Sequence, residues 1–237
     1  MELELSGIVI IVGAYGSGKT EVAINLAVQM NAKGTAVRLA DLDLVNPYFR
    51  TREARQVLRG LGIDVVLPPA KYMQADLPIL TPEVSGMLRK PSGLTLLDVG
   101  GDDVGATVLA ALADPMKGKA LQVLQVINPN RPYTDTVGGC LKIREAIEAK
   151  ARMAITGIIG NANLMDETTE QDILAGYEFS NSVAEAGNIP LVFITTPEAL
   201  LTRFDKRDIH CPVLALRRQL VPPWKQADAF GEPSEIG

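Results

Sequence analysis

Eight residues near the start of this sequence limit its fold more than any other segment. Residues 13–20 read Gly-Ala-Tyr-Gly-Ser-Gly-Lys-Thr and match the pattern GxxxxGK[ST] at each fixed position. They follow Gly7–Gly13, an apolar run rich in β-branched residues, and lead into residues 19–30, whose apolar positions have helical spacing. Glycine allows a backbone curl in which successive N–H groups converge at the start of the following helix. The segment therefore predicts a phosphate-binding loop between a buried strand and a helix.

The predicted loop, a Walker A motif, gives a role to its polar side chains. Lys19 is expected to reach the β- and γ-phosphates of a nucleoside triphosphate and to act in catalysis, and the Thr20 hydroxyl is expected to bind Mg²⁺. The alternative is a glycine-rich connector with a chance Lys-Thr, but the flanking strand and helix are the context that the pattern requires. The expected nucleotide ligands in the loop are Gly13, Tyr15, Gly16, Ser17, Gly18, Lys19 and Thr20.

Short apolar runs alternate with helical stretches along the rest of the chain. Further strands are predicted at residues 36–40, 63–67, 94–98, 121–127, 154–159 and 191–194, with a candidate edge strand at 213–216. Helices are predicted at residues 52–61, 83–90, 104–112, 133–150 and 168–186. This order predicts an α/β fold with a mostly parallel, doubly wound sheet of about seven strands and helices on both faces. We expect one domain over residues 1–220 and a poorly ordered polar tail over 221–237.

Acidic residues end two of the predicted strands. Asp98 begins a D-x-x-G pattern, so its carboxylate can hold the Mg²⁺ shell while the amide of Gly101 bonds the γ-phosphate. Asp41 and Asp43 end the second strand at alternate positions, so both can face the nucleotide. Asp41 is the candidate for the metal shell, and Asp43 for orienting the attacking water or acceptor hydroxyl. The alternative after the fourth strand is an Asp turn, and the alternative after the second strand is a solvated turn with an Asx hydrogen bond.

Residues 46–53, Asn-Pro-Tyr-Phe-Arg-Thr-Arg-Glu, bring two arginines close to the predicted phosphate site. Arg50 is the first candidate for binding an anionic acceptor or for stabilising transferred charge, as an arginine finger does. The stretch is equally typical of a turn at Pro47 followed by a helix with Thr51 as N-cap. Arg131, in Asn-Pro-Asn-Arg-Pro after the fifth strand, is a further candidate for contacting an acceptor, although a polar loop is the more usual explanation.

The order of these motifs resembles the MinD/ParA/CobQ/dethiobiotin synthetase group of P-loop NTPases, of the SIMIBI type. The resemblance covers roughly residues 7–200 and depends on the P-loop, the following D-x-D and the D-x-x-G. In that group an Asn ending a late strand and a Pro-containing loop after the next strand hold the base, and the matching residues here are Asn161 and Pro197. The alternative for Asn161 is a residue that satisfies loop backbone, and Asn163 is its near competitor. The resemblance implies Mg²⁺ with ATP, favoured over GTP because the sequence has no N-K-x-D pattern.

Ala14 departs from this group, because members that dimerise face to face over ATP carry a Lys at that position. An alanine cannot donate charge to a partner's phosphates, so membrane-positioning and DNA-segregation roles do not carry over, although a homodimer is still allowed. Two functions remain. The first is a nucleotide-dependent switch or accessory protein with weak ATPase activity and a protein partner. The second is an ATP-dependent kinase or ligase acting on a small anionic acceptor. We favour the first because we find no Arg-rich lid.

Composition narrows the partners and the location. The chain has 28 acidic and 23 basic residues without Lys/Arg-dense runs, which argues against binding nucleic acid or anionic membranes. No apolar run approaches the roughly 20 residues that cross a bilayer, and the N-terminus has no signal-peptide pattern, so a cytoplasmic protein is expected. Cys140, Cys211 and the single histidine, His210, do not have the spacing of a zinc site. The cysteines are therefore expected to be reduced thiols.

Overall fold

A computed structural model describes residues 1–43, 55–66, 82–101, 103–203, 208–221 and 227–230. The strands over these residues are β1 Gly7–Gly13, β2 Val37–Asp41, β3 Asp64–Val66, β4 Leu94–Asp98, β5 Leu121–Ile127, β6 Gly157–Gly160, β7 Leu191–Pro197 and β8 Val213–Leu216. The α-helices are α1 Lys19–Ala32, α2 Arg55–Gly60, α3 Pro82–Arg89, α4 Asp103–Met116, α5 Val137–Ala151 and α6 Glu170–Gly187. None of the helices within the described ranges is long and apolar enough to span a bilayer.

The strands form one parallel sheet in the order β3-β2-β4-β1-β5-β6-β7-β8. From β1 the chain goes outward to β2 and β3 on one side and then returns to β4, which lies between β2 and β1. From β4 it crosses to β5 on the other side of β1 and goes outward as far as β8, which is a doubly wound arrangement. The predicted α/β fold with a mostly parallel sheet is confirmed. The eighth strand is the candidate edge strand, which pairs with the end of β7.

Helices cover both faces of the sheet, so the central strand is buried on both sides. Residues 8 to 12 of β1 are at most 2% exposed. Val9 and Ile11 pack with α1, while Ile8, Ile10 and Val12 pack with α3 and α4 on the opposite face. A strand that is apolar at successive positions therefore fits the centre of a two-sided core.

Strand β6 and helix α5 begin several residues later than the sequence predicts, and local hydrogen bonds explain both. The amide of Ile155 donates to the Glu148 carboxylate (2.8 Å), and the amide of Val123 in β5 donates to the Thr156 hydroxyl (2.9 Å). Neither amide therefore bonds a backbone carbonyl of the neighbouring strand, and β6 begins at Gly157. Helix α5 begins at Val137 because the side chain of Thr136 caps it by accepting the amide of Gly139 (3.1 Å). A positive φ of 68° at Tyr133 also prevents an earlier start.

All carboxyl ends of the parallel strands lie at one edge of the sheet. The segments that leave β1, β2, β4, β5, β6 and β7 at this edge carry the sequence-predicted polar residues. Ligands of doubly wound sheets bind beyond this edge, near the strand where the chain reverses direction. Here that strand is β1, so the loop after it lies at the centre of the edge.

Candidate functional site

The loop after β1 has the backbone that its glycines permit. Gly16 and Gly18 have φ values of 73° and 91°, in the left-handed region that glycine adopts without strain. Gly18 is the N-cap of α1 and has no side chain to accept a bond from the first helical amides. The start of a buried helix thus presents N–H groups and the positive end of its dipole to one place. This arrangement suits an anion.

Lys19 lies inside this loop, although it is the first residue of α1. The side chain is 7% exposed, and its ammonium group donates to the carbonyl oxygen of Ala14 (3.0 Å). A methyl group at Gly101 would lie 2.7 Å from the Lys19 ammonium nitrogen and 2.6 Å from the carbonyl oxygen of Gly13. The segment after β4 therefore touches the loop after β1, and only glycine fits at that contact. The structure brings Lys19, Gly101 and the loop together.

Asp41 and Asp98 end neighbouring strands at the same level. They are paired in the register of β2 and β4, and Asp98 is also paired with Ile11 of β1. Both carboxylates are fully buried, while Asp43 is 9% exposed. The amide of Asp43 donates to the Asp41 carboxylate (3.1 Å), which is an Asx hydrogen bond in a buried turn rather than the solvated turn of the sequence alternative. The carboxylates of Asp41, Asp43 and Asp98 therefore lie together at the carboxyl edge of the sheet, beside the loop after β1.

Oxygen atoms at this edge suit a hard divalent cation. The hydroxyl of Thr20, in a residue 9% exposed, and the carboxylate of Asp98 are the donor types that Mg²⁺ prefers. Mg²⁺ usually binds through one or two protein ligands together with substrate phosphates, rather than in a dedicated cage of side chains. No group of three or more His, Cys, Asp and Glu side chains that could hold a metal ion lies in the described ranges.

Asn161, the predicted base ligand, has both ends of its amide engaged within the protein. Its Nδ2 donates to the carbonyl oxygen of Ser17 (2.6 Å), and its Oδ1 accepts the Thr195 hydroxyl (2.5 Å). Asn161 is 2% exposed, and a methyl group at Gly18 would collide with its Nδ2. The side chain therefore ties the loop after β1 to β6 and β7. This is the backbone-satisfying role that the sequence left open, and base recognition by Asn161 stays a prediction.

The other predicted site residues lie less centrally. Tyr15 is 76% exposed at the outer part of the loop, so its side chain is not part of the buried set. Pro197 ends β7 on the same edge, and the next residue, Glu198, forms a bidentate pair with Arg217 (2.7 and 2.8 Å) that lowers the pKa of Glu198. Arg50 and the rest of residues 46–53 lie outside the described residues.

Sequence reasoning missed a link between helix α1 and the segment after β8. The Glu21 carboxylate accepts the amides of Gln219 (2.8 Å) and Leu220 (3.0 Å), and Asn25 donates to the same carboxylate (3.0 Å). Burial raises the pKa of Glu21, and these hydrogen bonds oppose the rise only in part. In the sequence, an acidic residue in a first helical turn indicates only an interaction with the helix dipole.

The residues after this segment are also in contact with the domain. The Asp228 carboxylate accepts the amide of Arg218 (2.8 Å), and Phe230 packs on the core that contains α1. Residues 222–226 and 231–237 lie outside the described residues, so the expected tail over 221–237 stays a prediction.

Comparison with known proteins finds likeness in structure alone. No protein-family model and no curated protein sequence matches the chain. The cell division protein FtsY of Thermotoga maritima is similar with a TM-score of 0.55 and 20% identity, over 84% of this chain and 66% of that one. The 54 kDa signal recognition particle protein of Aeropyrum pernix, in complex with GDP, has a TM-score of 0.57 and 19% identity, over 89% and 47%. The chain thus spans two thirds or less of these two proteins.

A shorter protein has a similar fold. A nucleotide-binding protein of Archaeoglobus fulgidus, in complex with ADP, has a TM-score of 0.50 and 19% identity over 82% of this chain and 83% of that one. At these identities the likeness extends to the fold only. The chain therefore has the P-loop NTPase fold, an eight-stranded parallel sheet with helices on both faces, in common with these proteins.

Proposed function

We propose that this chain is a Mg²⁺-dependent nucleoside triphosphatase that works as a nucleotide-dependent switch. The observation that carries the proposal is the loop at residues 13–20, in which Lys19 lies beside the uncapped start of α1. Backbone amides and a lysine that converge at the end of a central parallel strand make a site for the phosphates of a nucleotide. The fold that the chain has in common with proteins in complex with GDP and ADP supports the same proposal.

Each residue near the loop has a proposed task. Lys19 binds the β- and γ-phosphates, and the amide of Gly101, which lies against Lys19, bonds the γ-phosphate. Thr20 and Asp98 hold Mg²⁺, with Asp41 in its outer shell. Bound Mg²⁺ would neutralise charge on the phosphate oxygens. Asp43 orients the attacking water, because it is less completely buried than Asp41 and Asp98 beside it.

Two segments at the edge are proposed to respond to the nucleotide. Asp43 and Gly101 follow neighbouring strands, and Gly101 lies against both the loop and Lys19. Loss of the γ-phosphate would remove the bond to Gly101 and change the backbone conformation at Asp43 and Gly101. Such a change would be read by a protein partner. We also propose that the chain resembles the MinD/ParA/CobQ group and that it works in the cytoplasm.

The identity of the base, adenine or guanine, is a separate part of the nucleotide proposal. The sequence resemblance favours ATP, whereas the structurally similar proteins include complexes with GDP and with ADP. Asn161 is the base ligand that the resemblance implies, and each of its amide atoms makes one hydrogen bond within the protein, which leaves a second N–H and a second lone pair for a base. Competition of ATP and GTP against a fluorescent nucleotide would decide between them, and GTP is the alternative.

Hydrolysis by an Asp43→Ala variant tests the proposed activity. We expect slow phosphate release from Mg·ATP or Mg·GTP by the wild type, and at least about a tenfold lower rate in the variant with nucleotide affinity retained. Asp114→Ala is a matched control because Asp114 is exposed on α4, near the opposite edge of the sheet. Equal rates in all three proteins would show that Asp43 does not position the water. Failure of the wild type to bind either nucleotide would remove the proposal.

A further inference from the structure

The loop between β5 and α5 holds Arg131 in a defined position beside the phosphate loop. The amide of Arg131 donates to the carbonyl of Asn128 (3.2 Å), and its own carbonyl accepts the amide of Thr134 (3.2 Å). The hydroxyl of Thr134, a fully buried residue, donates to the Asn128 carbonyl (2.7 Å). Backbone bonds on both sides therefore fix the direction in which the Arg131 side chain leaves the loop.

The Arg131 side chain passes the middle of the phosphate loop. A methyl group at Gly16 would lie 3.8 Å from both Cδ and Nε of Arg131. Gly16 is one of the residues whose backbone is shaped to present amides to an anion. The guanidinium group beyond Nε is thus within reach of the space where the loop would hold phosphates.

The guanidinium has no acidic partner within the described part of the chain. Its Nε is buried and donates no hydrogen bond there. A buried donor that lacks an acceptor loses the hydrogen bonds it made to water, so a ligand oxygen at Nε would recover free energy. Arginine is suited to this task because its planar donors match the oxygens of a phosphate.

A strained residue two positions after Arg131 supports a functional loop. Tyr133 has a φ of 68° and is 80% exposed, so no burial of its ring compensates for the left-handed backbone. Non-glycine residues in this region persist where the surrounding structure fixes them, and such residues cluster at ligand sites.

We propose that Arg131 binds the phosphate chain of the nucleotide as a second cation beside Lys19. The inference rests on the proposed function, since it needs a bound nucleotide. It gives Arg131 a different ligand from the acceptor that the sequence suggested. Arg131 would add positive charge to the phosphate site of its own chain. The Lys that other proteins carry at the position of Ala14 adds charge to the phosphate site of a partner chain instead.

Equilibrium binding of Mg·ATP and Mg·GTP to Arg131→Gln tests the inference. A charge-assisted hydrogen bond to phosphate is lost, so we expect the Kd to rise about 10- to 100-fold, with an unchanged melting temperature. Arg131→Lys keeps the charge without the planar donors, and a smaller rise of about three- to tenfold is expected. Arg89→Gln is the matched control because Arg89 is exposed at the end of α3, near the opposite edge of the sheet.

The outcomes separate this inference from the proposed function. Tight binding by wild type, Arg89→Gln and Arg131→Gln alike would overturn the role of Arg131 while the nucleotide site stands. If Arg131→Gln does not fold, Arg131→Lys carries the test, and a wild-type Kd in that variant contradicts the inference. Absence of binding by the wild type and the Arg89→Gln control would overturn both.

Discussion

Asn161 is predicted to be a structural support of the phosphate loop, and its replacement by alanine should be costly. The substitution leaves the carbonyl of Ser17 and the hydroxyl of Thr195 without their partner in a region where both residues are at most 2% exposed. Each buried polar group left unsatisfied costs about 1–3 kcal/mol, so we expect a total loss of about 3 kcal/mol. In a domain of this size that loss lowers the melting temperature by about 6–12 °C.

Two further variants show which half of the Asn161 contact matters. Thr195→Val removes only the hydroxyl that donates to Oδ1, and about 1–2 kcal/mol should be lost while the bond to Ser17 remains. Asn161→Asp keeps an acceptor for Thr195 but turns an oxygen toward the Ser17 carbonyl, so it should weaken nucleotide binding most. In the Asn161→Ala/Thr195→Val double variant, the loss should be about 1 kcal/mol smaller than the sum of the single losses.

Urea unfolding with a two-state fit, and nucleotide titration of the same samples, would measure these effects. An Asn161→Ala protein within about 0.5 kcal/mol of wild type would refute the reasoning, because that is the range of ordinary surface substitutions. Additive single losses would show that the Thr195 hydroxyl and Asn161 do not act as a pair.

Two other predictions follow from buried acids and thiols. The pKa of Glu21 is raised above its ordinary value of 4.5, so its contribution to stability is present below that pH and is lost as the pH rises through the folded-state pKa. Glu21→Gln should remove this pH dependence from the free energy of unfolding measured between about pH 4 and pH 8, and an unchanged profile would contradict the assignment. Burial raises the pKa of Cys140 and of Cys211 to about 11. Alkylation of the native protein by iodoacetamide at neutral pH should therefore be on the order of 100-fold slower than in urea, and equal rates would contradict the raised thiol pKa values.

The sequence predicts the elements of this fold well where apolar runs are continuous. Strands β1, β4 and β5 have the predicted bounds, because a run of buried residues between turns leaves few alternatives. The predicted start of β6 was wrong because the Glu148 carboxylate, on α5, accepts a hydrogen bond from the amide of Ile155. Such a competition between side chain and ladder is decided by the packed structure and leaves no periodic signal in the sequence.

The candidate site was predictable where a local pattern encodes it. The residues of the loop, Lys19 and the acidic strand ends follow from short motifs whose backbone geometry is nearly fixed by glycine. The support provided by Asn161 was not, because Ser17 lies 144 positions away in the chain. The same holds for Glu21 and Leu220, which are 199 positions apart. Contacts of this kind depend on strand order, which a single sequence does not determine.

The central claim is that residues 13–20 hold the phosphates of a nucleoside triphosphate through Lys19 and the start of α1. Isothermal titration calorimetry of wild type, Lys19→Ala and Lys117→Ala with Mg·ATP and Mg·GTP tests it most directly, since Lys117 is exposed beyond α4 near the opposite edge of the sheet. We expect binding by wild type and Lys117→Ala, and at least about 100-fold weaker binding by Lys19→Ala. Equal affinity in all three proteins, or no binding by any of them, would contradict the claim.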